Sequence, residues 1–293
     1  DIKATTKQYT LETDSLIHDL ASHRYLMPRP GYAVSDSGWV RFGQGIISDS
    51  NDLSIFHHGV TGRDGVDYFI ADSLYRQTSL ALIGLHGHAQ WATRSKDSME
   101  LAADHLVIQG DSAQGQGHVV SHSNGLTSLS ETLHWNKAIN QLHLMGNPVV
   151  WTSDYQVQGR HIRWYKAVSN GMDSLWIEGQ VVLSEPTDSG AFQQMGGNTL
   201  YGHLNHQGIH DMHISGNAKA IYHPEPGQVN VTECSSITLA FRPNEAGNQA
   251  IHSVTFNQAP QGTLSENPAD DLPGFSNRQS ERPDRIDWMS GLK

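Results

Sequence analysis

The residues most able to do chemistry in this chain are its histidines, which number 18 in 293 residues. Four of them fall within eleven residues: His203, His206, His210 and His213. Another two, His57 and His58, are adjacent. Histidines at short spacing can bind zinc. However, no His-Glu-x-x-His or paired-cysteine pattern accompanies them, and turns separate them along alternating strands. The sequence therefore predicts no metal site and no cofactor.

The second candidate is a basic stretch whose cations are Arg160, Arg163 and Lys166. Such side chains could contact a phosphate or an acidic sugar at the mouth of a binding groove. The same pattern is typical of a solvated strand edge, where long side chains cover a neighbouring strand. Both interpretations stay open at this point.

Patterns for hydrolysis and nucleotide chemistry are absent from the sequence. There is no Gly-x-Ser-x-Gly motif, phosphate-binding loop or dinucleotide fingerprint. A polysaccharide-cleaving enzyme would need two carboxylates on one face, whereas the acidic residues here are scattered through turns such as 49–52 and 64–67. The sequence predicts a non-enzymatic protein. A right-handed β-helix acting on polysaccharides is the alternative.

The elements that must position these residues are short runs of alternating apolar and polar residues, and six of the runs reach a glycine in the same way. The glycines are 28 to 37 residues apart: Gly59, Gly87, Gly117, Gly146, Gly179 and Gly216. Recurrence at such an interval indicates a stacked-repeat architecture. A glycine at the same place in each repeat predicts a bend or bulge where a strand changes direction.

Each repeat also carries an apolar anchor ahead of its glycine-containing strand. The anchors are Leu74, Leu106, Leu133, Ile162, Leu200 and Ile237. Alternation places every second side chain on one face of a sheet. Stacked repeats therefore align their inward side chains into one continuous apolar lining. Residues 129–139 could be read as a helix or as a strand.

Composition excludes several classes of function. The formal net charge of −11 argues against a nucleic-acid binder, which normally presents a basic surface. The single cysteine, Cys234, rules out an intrachain disulfide. The longest apolar runs are far shorter than the roughly 18 residues of a membrane-spanning helix.

Three segments carry a resemblance to a known family. They are Leu142-His-Leu-Met-Gly-Asn-Pro-Val-Val-Trp151, Leu175-Trp-Ile-Glu-Gly-Gln-Val-Val-Leu183 and Met212-His-Ile-Ser-Gly-Asn-Ala-Lys-Ala-Ile-Tyr222. Together with the strand starts at Ala71-Asp-Ser-Leu and Ala103-Asp-His-Leu, they resemble the OstA-like, LptA-type family of lipopolysaccharide-transport proteins. Later features, such as Leu272-Pro-Gly-Phe275, are similar to the longer OstA-like proteins of the Bacteroidetes.

The resemblance implies an all-β fold, a stacked, V-shaped β-jellyroll of folded-over antiparallel sheets. It implies a periplasmic protein, after removal of a signal peptide, that binds the acyl chains of lipopolysaccharide or a related lipid in an apolar groove. The predicted lining is Leu82, Leu106, Ile108, Leu142, Leu144, Leu175, Ile177, Val181, Leu183, Met212, Ile214 and Ile237. A structural repeat protein with a closed core is the other alternative.

The resemblance also implies partners that dock by end-to-end strand pairing: LptC-like and LptD-like jellyroll proteins, or a second copy head to tail. An unpaired edge strand favours such docking. We predict the first open edge near 31–42 and the last near 255–264. The predicted organisation is a lead-in segment over 1–30, one jellyroll domain over 31–263 and a lightly packed or mobile tail over 264–293.

Overall fold

The computed structural model describes residues 2–94, 98–123, 126–152, 154–167, 171–187, 190–205, 208–225, 227–243, 249–266 and 269–284. It is an all-β structure of antiparallel strands, which confirms the predicted class. The strands are β1 (Ile2–Thr5), β2 (Thr10–Thr13), β3 (Ile17–Asp19), β4 (Arg24–Met27), β5 (Gly31–Val34), β6 (Gly38–Phe42), β7 (Gln44–Ser48), β8 (Leu53–Asp64), β9 (Asp67–Gln77), β10 (Leu82–Thr93), β11 (Met99–Gln109), β12 (Ser112–Ser123), β13 (Leu126–Asn136), β14 (Gln141–Met145), β15 (Val149–Trp151), β16 (Gln156–Gln158), β17 (His161–Tyr165), β18 (Asp173–Pro186), β19 (Phe192–Asn205), β20 (Gly208–Tyr222), β21 (Val229–Pro243), β22 (Gln249–Asn257) and β23 (Gln261–Ser265). The ambiguous stretch at 129–139 is mostly strand β13.

The chain divides into two compact units, and the boundary lies at β13, inside the range predicted as one domain. Unit 1 takes residues 1–124 with 132–134 and 284–293, and unit 2 takes 125–131 and 135–283. Two single-turn 3-10 helices, Thr78–Leu80 and Gln279–Glu281, complete the described elements. No helix in the described part of the chain is long and apolar enough to cross a membrane.

Residues 1–30, predicted as a lead-in, instead form four strands of unit 1. Leu11 in β2 and Met27 in β4 are buried in its core. Each of these strands has only three or four residues. Periodicity over so few residues is a weak signal, and the prolines at 28 and 30 stand in the connection to β5, where they do not interrupt a strand.

The first open edge also lies earlier than predicted. Strand β5, inside the predicted edge region, pairs with β2, and β2 pairs with β1. Within the described residues, β1 pairs only with β2 and β3 pairs only with β4. The edge of unit 1 is therefore formed by residues 2–5 and 17–19, because the unpredicted strands cover the 31–42 region.

The six recurring glycines all adopt the left-handed backbone conformation, with φ between +71° and +81°. An adjacent residue shares the left-handed conformation at each one, for example His118 after Gly117 and Gln180 after Gly179. The strand register breaks at this point, as between Glu178 and Val181 on β18. The predicted bulge is confirmed, and glycine is used there because positive φ is costly for other residues.

Gly117 and Gly110 provide a matched pair for testing the bulge. Both have positive φ, but a Cβ at Gly117 would lie 3.0 Å from the Cβ of Asp104, whereas one at Gly110 would meet nothing within 4 Å. We expect Gly110→Ala to cost about 1 kcal/mol from backbone strain alone. Gly117→Ala should cost about 1–2 kcal/mol more, because Asp104 must move and its contact with His118 is lost. Urea unfolding measures both, and equal losses would contradict the steric argument.

Unit 2 is built on four long strands, β18 to β21, which pair in chain order. Short strands complete its two ends. Strands β14 and β17 pair beside the first half of β18, while β15 and β16 lie beside its second half. At the far end, β22 and β23 both pair with β21 and, among the described residues, with no further strand. This open edge is where the sequence predicts it.

The predicted tail is partly buried against unit 2. We call residues 269–281 the strap. Leu272 of the strap is 4% exposed and packs with Val182, Ile221 and Val229. The many prolines and charged residues of the strap are typical of a mobile segment. Its burial could not be predicted because its apolar partners lie on strands far away in the chain. Residues 285–293 lie outside the described part of the chain.

Candidate functional site

A continuous row of apolar side chains crosses unit 2 at right angles to its strands. Directly opposite partners on successive strands form this apolar rank: Leu144, Ile162, Ile177, Leu200, Ile214 and Ile237. None of the six is more than 1% exposed. Since facing positions on paired strands hold their side chains on the same face, the rank forms an unbroken apolar strip in the interior.

The remaining predicted lining residues are almost all buried as well. In unit 2, these are Leu142, Leu175, Val181, Leu183 and Met212. In unit 1, Leu106 and Ile108 are buried, while Leu82 is half-buried at the start of β10. The predicted lining thus consists of core side chains in two separate units. Entry of a lipid among them stays a prediction.

One contact inside unit 2 joins segments that are not sheet neighbours. Tyr155 precedes β16, and its ring packs edge-on against Phe241 of β21 at a centroid distance of 5.5 Å. Burial raises the pKa of the Tyr155 hydroxyl well above its usual range. Glu185 lies close by, and burial, reinforced by the charge of Asp154, raises the pKa of its carboxyl.

Glu185 provides a pH test of this interior. A raised pKa means that the folded chain holds the proton more tightly than the unfolded chain, so ionisation destabilises the fold as pH rises. We expect Glu185→Gln to increase the free energy of unfolding at pH 7 and to leave it unchanged at pH 3, where the carboxyl is protonated in both states. Urea titrations at the two pH values measure this. The control is Glu233→Gln, which removes an exposed carboxylate paired with Lys219 and should not increase the free energy of unfolding at pH 7. If Glu185→Gln stabilised the protein equally at pH 3, the raised pKa of Glu185 would not be the cause.

The three predicted headgroup cations lie on or beside strand β17. Arg160 is exposed before β17, and the stem of its side chain lies against Gly179. Arg163 points away from the face that carries Ile162 and lies 3.7 Å from Glu178. Lys166 follows the end of β17. The three cations thus lie on and at both ends of β17, and their contact with a headgroup stays a prediction.

The clustered histidines of unit 2 are engaged with a carboxylate. The Nδ1 atoms of His203 and His210 lie 2.9 Å and 2.7 Å from Asp211 oxygens. Burial opposes ionisation of Asp211, but the hydrogen bonds from His210 and His203 outweigh it and lower the pKa of the carboxyl. His213 contacts the hydroxyl of Thr238, and His206 lies outside the described residues. Among the described residues, no group of three His, Cys, Asp or Glu side chains could hold a metal ion.

Two members of the apolar rank, Ile162 and Leu200, were absent from the predicted lining. The sequence did contain the signal, because both are repeat anchors, and all six anchors are buried with at most 1% exposure. By contrast, nothing local in the sequence indicates the burial of Gln156, Gln158 and Gln194, which are 0%, 6% and 2% exposed.

Comparison of the chain with protein-family models and with curated proteins finds no match to either.

Proposed function

We propose that the protein is a non-enzymatic lipid carrier of the OstA-like type, a folded-over β-jellyroll that binds acyl chains in lipopolysaccharide export. The observation that carries the proposal is the apolar rank of unit 2. Six strands separated by about 4.8 Å make a strip about 24 Å long. It runs across the strands, from Leu144 on β14 to Ile237 on β21.

The free energy of burying apolar groups favours a site that binds hydrocarbon chains without ion pairs. Burial of each methylene group is worth about 0.8 kcal/mol, so several acyl chains would supply ample affinity without any ion pair. The net charge of −11 is therefore compatible with an anionic lipid whose chains provide the binding energy. The separate positions of Arg160, Arg163 and Lys166 also fit a site in which the acyl chains supply most of the binding energy and the headgroup supplies little.

Carriage requires an opening in unit 2, because the side chains of the apolar rank are buried. The edge formed by β22 and β23 offers the route to a partner. Its residues from Gln261 to Leu264 are exposed, and Leu264 itself is 60% exposed. Pairing of this edge with a jellyroll of the LptC or LptD kind, or with a second copy of the chain, would extend the strip from one protein to the next.

A second candidate is a structural β-repeat protein with a closed core, and the burial of the rank favours it directly. Side chains with 0–1% exposure are also what a filled interior requires. The two candidates differ in whether the interior of unit 2 opens to admit a ligand.

Photocrosslinking at the end of the rank distinguishes them. Phe256 on β22 pairs with Ile237 and is half-buried, and its neighbour Thr255 is exposed on the opposite face. A photoreactive phenylalanine analogue at position 256 should crosslink to added lipopolysaccharide, whereas the same probe at 255 should not. Organic extraction and mass spectrometry of the purified protein should recover acyl lipid. If position 256 gave no crosslink and no acyl lipid were recovered, the lipid carrier would be ruled out in favour of the structural protein with a closed core.

A further inference from the structure

The strap lies on the outer face of unit 2. Tyr155 packs inward against Phe241, and alternation places Val157 on the same side. Gln156 and Gln158 therefore point to the opposite face, where they meet the strap. We call this surface the glutamine face. It consists of Gln156, Gln158 and Gln194 with Val182 and Ile221.

Three glutamine side chains bind the strap largely through its main chain. Gln158 accepts a hydrogen bond from the Ser276 N–H at 3.1 Å and donates one to the Ser276 carbonyl at 2.9 Å. Gln194 accepts from the Leu272 N–H at 2.9 Å and donates to the Asp271 carboxylate. Gln156 donates to the Ser276 carbonyl and accepts from the Arg278 N–H. These amides thus pair with the strap much as a neighbouring strand would.

Side chains of the strap add selectivity to these main-chain contacts. Leu272 fills a site among Val182, Ile221 and Val229. The ring of Phe275 lies 5.2 Å from that of Phe192. Between them, the Phe275 N–H donates to the Leu272 carbonyl across Pro273 and Gly274. Gly274 has φ +87°, which a turn with proline in second position and glycine in third requires.

The surface continues as open clefts beside the strap. One, of about 470 Å³, lies by Leu272 and Pro273 and is lined by Asn198, Asn217 and Lys219. Another, of about 380 Å³, lies by Gly274 and Ser276 and includes Arg160. The strap therefore occupies part of a larger groove and is not enclosed by it.

From these contacts we infer that the glutamine face is a peptide-binding site whose ligand is a segment with the Leu-Pro-Gly-Phe-Ser pattern of residues 272–276, which forms a turn over its first four residues. Its occupant is the chain's own strap, and the same site accepts this segment from a second copy. Because the contacts are side chain to main chain and lie 78 to 122 residues apart in sequence, they need no continuity between receptor and ligand. The inference is independent of lipid binding.

Hydrogen exchange in the intact chain provides the first test, because exchange of an amide reports local opening. Gln194→Leu removes the acceptor of the Leu272 N–H, and its neighbour Gln193, on the opposite face of β19, provides the control. We expect Gln194→Leu to speed exchange at Leu272 at least tenfold and to leave Ile214 unchanged. Gln193→Leu should change neither. Unaltered exchange at Leu272 in Gln194→Leu would overturn the site.

A binding measurement tests whether the strap of a second copy can occupy the glutamine face. The full chain carrying Leu272→Asp and Phe275→Asp should lose its own strap from the glutamine face. A fluorescent peptide of residues 269–282 should then bind it at 1:1 stoichiometry and at least tenfold more tightly than it binds the unmodified chain. Addition of Gln158→Leu should abolish that binding. Equal binding to both chains, or none to the double variant while its circular dichroism remains that of a β protein, would overturn binding from a second copy.

Discussion

Ile214→Asp is expected to lower the free energy of unfolding by more than about 4 kcal/mol, the range reached by an unpaired charge in a core. Ile214 is 0% exposed and lies between Leu200 and Ile237 in the apolar rank. An aspartate there has apolar neighbours across both strands, so it loses its hydration without gaining a partner. Equilibrium urea unfolding followed by tryptophan fluorescence measures the loss.

His213→Asp is the matched control for this substitution. His213 adjoins Ile214 on β20 but points to the exposed face, where it contacts Thr238. We expect a change within about 1 kcal/mol, as for most surface substitutions. If both variants lost a comparable free energy of unfolding, the cause would be an aspartate anywhere on β20, and burial in the apolar rank would not explain the loss.

Gln156→Leu is expected to destabilise the protein by about 3 kcal/mol. Gln156 is fully buried, its Oε1 accepts hydrogen bonds from the Trp151 indole and the Arg278 N–H, and its Nε2 donates to the Ser276 carbonyl. A leucine fits the volume but leaves three polar groups without this partner, at about 1–3 kcal/mol for each that stays dry. Thermal and urea unfolding at pH 7 provide the measurement.

A double-mutant cycle with Trp151→Phe separates the indole contribution. Once the indole N–H is removed, Gln156→Leu no longer leaves it unpaired, so the double variant should be less destabilised than the sum of the singles by about 1 kcal/mol. Strict additivity would show that the 3.2 Å contact between Trp151 and Gln156 contributes no stability.

The strands of unit 2 illustrate how far local pattern leads. Alternation around Ile177 and Ile214 predicts strands with these residues inward, and both are fully buried. The glycine at each repeat predicts the bulge, and all six have positive φ. These features depend on the period of two along a strand and on the lack of a Cβ, which are properties of a few consecutive residues.

The edges and ends of the chain were predicted less well. Strands β1 to β4 were missed because each is short, and the buried residues of β2 and β4 lie on strands that pair with later ones, β5 and β7. The open edge of unit 1 was consequently placed too late in the chain. The edge at β22 and β23 was placed correctly because the repeat pattern fails just beyond it.

The amino-acid sequence by itself therefore determined the β class, the bulge positions and the identity of most inward side chains, since each follows from spacing within a single strand. Only the tertiary structure decided that glutamines on β16 and β19 bind the strap. Their partners at 271–278 lie 77 to 122 residues further along the chain. A buried amide and an exposed amide look alike until folding brings the second chain segment to cover one of them.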